Sequence, residues 1–115
     1  MSGSQGGFQV GAALLEACVL GVLAEGDTYG YSLTQKMRNS VDISESTLYP
    51  VLRRLQKDGC LITYDQPTNG RNRRYYALTD RGWEAYGAYK AEWAQFRASI
   101  DLLLGDREVD KNEKQ

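Results

Sequence analysis

The sequence predicts a mainly α-helical fold carrying one small β-hairpin, and three patterns support that prediction. Residues 44–59, read as a helix, gather Leu48, Val51, Leu52 and Leu55 on one side and Ser46, Tyr49, Pro50, Arg53 and Lys57 on the other. Residues 60–79 alternate as two short strands around a polar, arginine-rich turn. Residues 80–104 carry aromatic and aliphatic side chains in steps of three and four, the spacing of a long helix with one apolar seam.

Taken in order, residues 1–11 are small and polar and lack the basic and apolar regions of a signal peptide, so a flexible arm is expected there. Residues 12–25 form a first helix whose Leu14, Leu15, Cys18, Val19, Val22 and Leu23 cover more than one face, so it must be covered from two sides. Gly26 and Asp27 end it. Asp27 or Thr28 is expected to cap a second helix over residues 29–39, with Tyr31, Leu33 and Met37 in the core. Residues 40–43 form the turn before the third helix, which Ser44 caps and Gly59 stops. Glu45 faces the positive end of that helix dipole. Pro50 removes a backbone hydrogen bond, which predicts a bend or a first turn starting after the cap. Residues 60–65 and 73–79 are the two strands, and residues 66–72 the turn, punctuated by Pro67 and Asn69-Gly70. An amphipathic helix followed directly by a basic hairpin is the arrangement of a winged helix-turn-helix, here residues 12–79.

Thr79 and Asp80 open the last helix, residues 80–104. Its seam runs Tyr86, Tyr89, Trp93, Phe96, Ile100 and Leu103. So long a seam has little of its own domain left to pack against, which predicts a homodimer through this helix, assisted by the first; the alternative is a helix folded back on its own monomer. The aromatics are bulky for a close-packed seam. Tyr89, Trp93 and Phe96 are therefore expected either to pack as an ordinary interface or to form a flat slot for a planar aromatic effector, with Arg97 favouring an anionic or phenolic group. The tail, residues 105–115, is mixed in charge and expected to be frayed.

At 115 residues the chain is one domain, with a net charge of −1 that hides an asymmetry. Residues 53–74 hold six basic side chains against two acidic ones, a segment charge of +4 on a remainder of −5. Such a patch orients a protein on a polyanion such as double-stranded DNA; the alternative is an ordinary solvated face. Tyr49 and Arg53 are the expected base-edge contacts, Ser46, Thr47 and Lys57 the phosphate contacts, and Arg71, Arg73 and Arg74 the wing contacts. The competing reading is a winged-helix interaction module with an acidic protein partner. The chain has no histidine, and its two cysteines, Cys18 and Cys60, match no metal spacing. Buried, reduced thiols are expected, with a redox switch as the alternative. No catalytic constellation or cofactor motif is present, so an enzyme is not expected. No apolar run approaches membrane-spanning length, which predicts a cytoplasmic protein.

Thr47-Leu48-Tyr49-Pro50-Val51-Leu52-Arg53-Arg54-Leu55, Lys57-Asp58-Gly59, and Gly70-Arg71 followed by Arg73-Arg74-Tyr75-Tyr76-Ala77-Leu78-Thr79 and Gly82 resemble the recognition helix, wing and last-helix entry of the PadR family of bacterial transcriptional regulators. Tyr29-Gly30-Tyr31 is similar to that family's second-helix opening, and the resemblance spans residues 12–104, in the small subgroup with a single C-terminal helix. It implies a dimeric repressor on an inverted-repeat operator, released by a small molecule. It also implies planar aromatic ligands held between tryptophans of the last helix, where Trp93 stands. The sequence departs from the family in two places: Asn72 occupies a frequent wing proline position, and Lys90 and Arg97 put positive charge near the expected slot, which argues against a cationic ligand.

Overall fold

The computed structural model describes residues 11–105, so the expectations for the arm and tail fall outside the described residues except at Gly11 and Gly105. Seven elements follow in order: α1 (Ala12–Ala24), β1 (Thr28–Tyr29), α2 (Gly30–Ser40), α3 (Glu45–Lys57), β2 (Leu61–Thr68), β3 (Arg71–Leu78) and α4 (Asp80–Leu104). The three strands form an antiparallel sheet in the order β1-β3-β2. This is the expected winged helix-turn-helix with a long terminal helix.

The core is aliphatic and lies where α1, α2 and α3 meet the base of the hairpin. Leu15, Val19, Leu20 and Leu23 of α1 pack with Leu33 and Met37 of α2, with Leu48, Val51, Leu52 and Leu55 of α3, and with Cys60 and Leu61. The apolar girdle of α1 is covered from two sides, as its sequence demands: α2 and α3 on one, α4 on the other. Tyr31 departs from expectation. It opens α2 and is 63% exposed, because α2 begins at the sheet edge and its first turn projects beyond the core.

That displaced start has a cause in β1, which pattern reading missed. Thr28 and Tyr29 pair with Tyr76 and Tyr75 of β3, so neither Asp27 nor Thr28 caps α2; Tyr29 holds the N-cap position without a side-chain bond. A two-residue strand carries no readable alternation. Asp27 instead accepts a hydrogen bond from the Tyr64 hydroxyl at 2.7 Å.

The hairpin is longer and its turn tighter than expected. Thr68 pairs with Arg71, leaving Asn69 (φ 53°) and Gly70 (φ 78°) as a two-residue turn with both residues left-handed, the geometry that matches strand twist. Pro67 therefore lies inside β2, opposite Asn72. β2 is an edge strand, and the position next to the closing pair directs its nitrogen outward, so the missing N–H costs no ladder bond.

α3 starts where Ser44 caps it, its Oγ accepting from the Thr47 N–H at 3.3 Å, so the later start expected from Pro50 does not occur. Pro50 is on the exposed face, where the carbonyl it leaves without a partner can bond water.

α4 is anchored by one residue. The Thr79 hydroxyl donates to the Gly59 carbonyl at 2.6 Å and accepts from the Gly82 N–H at 3.0 Å, while its own N–H reaches the Cys60 carbonyl at 3.1 Å. Gly82 is buried hard against that same carbonyl. From there α4 crosses α1, half-burying Ala85, Tyr86 and Tyr89, and then leaves the domain. The expected intermolecular seam is thus divided: Tyr86 and Tyr89 are spent on the chain's own α1, and only the later positions remain open.

Candidate nucleic-acid interface and aromatic groove

The exposed face of α3 carries every side chain assigned to it from sequence. Ser46, Thr47, Tyr49, Arg53 and Lys57 are exposed, opposite the four buried aliphatics. At the amino end, Ser44 Oγ lies 2.9 Å from Ser46 Oγ and 3.1 Å from Thr47 Oγ1, a hydroxyl cluster at the positive pole of the helix dipole. Towards the carboxyl end, Arg53, Arg54, Gln56 and Lys57 border a shallow basic hollow. Arg53 and Lys57 make no ion pair among the described residues.

The three wing arginines occupy three different settings. Arg71 is exposed beside the hairpin tip and makes no ion pair among the described residues. Arg74 lies 3.7 Å from Asp65, its cross-strand partner. Arg73 is half-buried, its guanidinium 4.5 Å from the centre of the Tyr29 ring, and its Nε is buried without a hydrogen-bond partner among the described residues. A buried donor of that kind is costly unless a ligand or water supplies the acceptor.

Arg73 lines a cleft of about 260 Å³ with Tyr29, Tyr31, Tyr49, Asn72 and Tyr76. Tyr31 and Tyr29 were not assigned to the site from sequence, since Tyr31 reads as core by spacing. The signal available was the short strand that pushes the Tyr-Gly-Tyr run outward. A methyl at Gly30 would meet Tyr49 Oη at 3.9 Å, so the Tyr49 hydroxyl lies over the start of α2. Burial pushes the Tyr76 hydroxyl pKa upward.

Behind the cleft a tyrosine ladder stiffens the wing. Tyr64 stacks on Tyr75 with ring centres 5.5 Å apart and 14° between planes, and Tyr29 meets Tyr75 edge-on at 5.5 Å. Tyr75 Oη bonds Thr68 Oγ1 at 2.7 Å. The Tyr64 hydroxyl, donating to Asp27, is held above the usual phenol range.

A second feature lies on the opposite side of α1. A groove of about 390 Å³ runs between α1 and α4, lined by Ala13, Leu14, Ala17, Tyr89, Glu92, Trp93 and Phe96. The rings of Trp93 and Phe96 are 6.1 Å apart at 45°. Three of the four residues expected at an effector slot are therefore brought together. Arg97 is not among them: it turns to Asp101, 4.0 Å away, one helical turn on. Lys90 is likewise directed elsewhere, 4.9 Å over the Tyr86 ring. The charged residue that does line the groove is Glu92, so the positive setting expected from sequence is replaced by a negative one.

Between the two features sits Glu16 of α1, which sequence reading passed over. Its Oε1 accepts from the Tyr89 hydroxyl at 2.6 Å and its Oε2 from Arg54 Nε at 2.6 Å. The bond to Glu16, then burial, pushes the Tyr89 pKa up to about 12. The same carboxylate raises the Arg54 pKa. Cys60 is buried and Cys18 half-buried, both free thiols. Among the described residues no cluster of metal-ligating side chains occurs, and no helix is long and apolar enough to cross a membrane.

Residues 19–88 match the family described as Transcriptional regulator PadR-like. Among curated proteins, Transcriptional regulator Rv3488 of Mycobacterium tuberculosis is 38% identical over 76 residues, covering 65% of this chain and 69% of that protein. A Lysinibacillus sphaericus protein of no described function is 34% identical over 95 residues, covering 78% and 87% respectively. Among solved structures, smu.1704 from Streptococcus mutans superposes with a TM-score of 0.82 at 38% identity, over 90% of this chain and 97% of that one. A PadR-like transcriptional regulator from Bacillus cereus superposes with a TM-score of 0.74 at 31% identity, over 79% and 91%.

Proposed function

Because the chain belongs to the PadR-like family of transcriptional regulators, we propose that it acts as a cytoplasmic homodimeric repressor that binds an inverted-repeat operator and is released by a planar aromatic effector. The observation that carries this reading is α3: one face sealed into the core by four aliphatics, the other presenting Ser46, Thr47, Tyr49, Arg53 and Lys57 beside a braced hairpin. An α-helix so presented fits the major groove, and two copies about 34–36 Å apart would engage successive grooves on one side of a duplex. Tyr49 and Arg53 read base edges; Ser46, Thr47, Lys57 and the wing cations Arg71, Arg73 and Arg74 engage phosphates. The buried, unpartnered Arg73 Nε suits a phosphate oxygen entering the cleft with Tyr31.

The dimer is supported by what α4 leaves bare. Phe96 is 58% exposed and Leu102, Leu103 and Leu104 are 70%, 81% and 78% exposed, an apolar stretch that a second subunit would cover. The apolar, Glu92-bordered groove at Trp93 is the proposed effector site, and its charge favours a neutral or cationic ring system over the anionic one expected from sequence.

The test is a salt titration of binding to the duplex flanking the protein's own gene. Lys57, Arg71, Arg73 and Arg74, the cations assigned to phosphates, two copies of each, give a slope of log K against log salt of about −7. A flat salt response, with no preference for that duplex over random DNA, would refute the reading in favour of an acidic protein partner.

A further inference from the structure

We propose that the Glu16 carboxylate couples the aromatic groove to the recognition helix, so that a guest in the groove is felt at the DNA-reading face through this one side chain. The inference rests on the functional reading above and supplies its internal link. Glu16 has two oxygens and spends one on each side, Oε1 on Tyr89 and Oε2 on Arg54, both at 2.6 Å. Its side chain is only 14% exposed, so water cannot readily replace either partner.

Each partner belongs to a different function. The Tyr89 ring lines the groove one helical turn before Trp93, while its hydroxyl reaches Glu16. On α1, Ala17 follows Glu16 directly and also lines the groove. A planar guest between α1 and Trp93 must therefore press on the Tyr89 ring, and a small rotation of that ring breaks the hydroxyl bond. Arg54 neighbours Arg53 on α3 and borders the same basic hollow, so its guanidinium is shared between Glu16 and the DNA-facing surface. Once Tyr89 is displaced, the carboxylate loses a donor and draws more strongly on its remaining cation. Arg54 is then held back from phosphate and α3 is pulled towards α1. Guest binding weakens DNA binding, and by linkage DNA weakens guest binding by the same factor.

The test is a ratio: the dissociation constant for the operator duplex with and without saturating N-phenyl-naphthylamine, a neutral arylamine whose binding is followed by tryptophan emission, with a Trp83→Phe control to separate the signal of Trp93 from that of Trp83. For the native dimer the probe should weaken duplex binding by a factor on the order of five or more. In Glu16→Gln, which keeps the shape and removes the charge, and in Arg54→Met, which keeps much of the apolar stem and removes the cation, the ratio should fall to within about two-fold of unity. Taking the ratio within each variant cancels any change in either affinity alone, and Arg54→Met stands in if Glu16→Gln fails to fold. A native-sized ratio in the variants overturns the coupling and leaves the functional reading intact, whereas a ratio of one in the native protein when it binds both probe and duplex overturns the coupling together with release by an effector, and leaves only the DNA-binding part of the reading standing. A native protein that binds no duplex, or no probe at Trp93, overturns the functional reading and the coupling with it.

Discussion

Replacing Gly82 with alanine tests how α4, the proposed dimer helix, is joined to the rest of the fold. A Cβ at this position would lie 3.1 Å from Leu78 Cδ2 and 3.2 Å from the Cys60 carbonyl carbon, and well inside contact with the carbonyl oxygen. Carbon atoms pack at roughly 3.5–4.0 Å, and the obstructing atoms are mostly backbone, which cannot swing aside. The first turn of α4 would have to lift by about 1 Å, stretching the 3.0 Å bond from the Gly82 N–H to Thr79 and the 3.1 Å bond from the Thr79 N–H to Cys60. Overpacking of this kind costs about 1–3 kcal/mol, and weakening a hydrogen bond adds about 1 kcal/mol, so a loss of about 2–4 kcal/mol is expected. In urea unfolding the midpoint should drop at constant slope. Because α4 sets the spacing of the two α3 helices in the proposed dimer, operator affinity should fall even where the variant is fully folded. A Gly82→Ala protein within about 0.5 kcal/mol of the native one would show that the close approach of α4 to Cys60 is not a fixed joint.

Arg53→Ala should weaken specific duplex binding by about 1–3 kcal/mol while leaving thermal stability unchanged, since its side chain is exposed and makes no ion pair among the described residues; anisotropy with the operator and a melting curve check both halves. Ser44→Ala should cost about 1 kcal/mol of stability by removing the cap on the Thr47 N–H, read from the urea midpoint. Tyr89→Phe should change the alkaline limb of stability. The Tyr89 pKa in the folded protein is raised from 10 to about 12, so its contribution is complete below pH 10 and is lost as pH climbs through about 12. The stability gap between native protein and Tyr89→Phe should therefore be constant at neutral pH and shrink across that window in unfolding curves taken at increasing pH.

The order of elements could be read from sequence because each long element carries one dominant period. α3 is the clearest case: its four aliphatics at helical spacing, its serine cap and its glycine stop all agree, and the structure places all of them as read. What escaped reading was set by tertiary pairing or by side-chain geometry. Two residues of β1 have no period of their own and exist because β3 offers a free edge, and that edge is what turns Tyr31 outward. Pro67 read as a turn residue because its place on an outward-facing edge position depends on the register of the partner strand. The α4 seam gave the right residues and half the wrong partner, since heptad spacing is the same whether Tyr86 and Tyr89 meet α1 or a second chain. Arg97 and Lys90 could be placed near the groove by spacing, yet where each side chain turns is decided by Asp101 and by the Tyr86 ring.

These joints decide how small a motion could work as a switch. α3 runs through Gly59 into Cys60, whose carbonyl accepts from the Thr79 N–H and lies against Gly82, so the carboxyl end of α3 and the amino end of α4 meet at one peptide group. Glu16 adds a second tie between the same two helices through Arg54 and Tyr89. With both ties made, α3 cannot swing independently of the first half of α4; once a guest breaks the Tyr89 bond to Glu16, the joint at Cys60 alone carries α3 with α4 about the exposed far end, where the proposed partner subunit would grip. α4 has 25 residues and is about 38 Å long. A rotation of roughly 10° about its far half, acting over a lever of about 20 Å, would displace α3 by about 3.5 Å, close to the 3.4 Å step between bases on one strand. A guest at Trp93 would sit between the fulcrum and the reading head of the proposed dimer, so it would need no large rearrangement to put the two α3 helices out of register with the proposed half-sites. That geometry makes rigidity of the Cys60 joint, rather than flexibility of the wing, the condition for the proposed release.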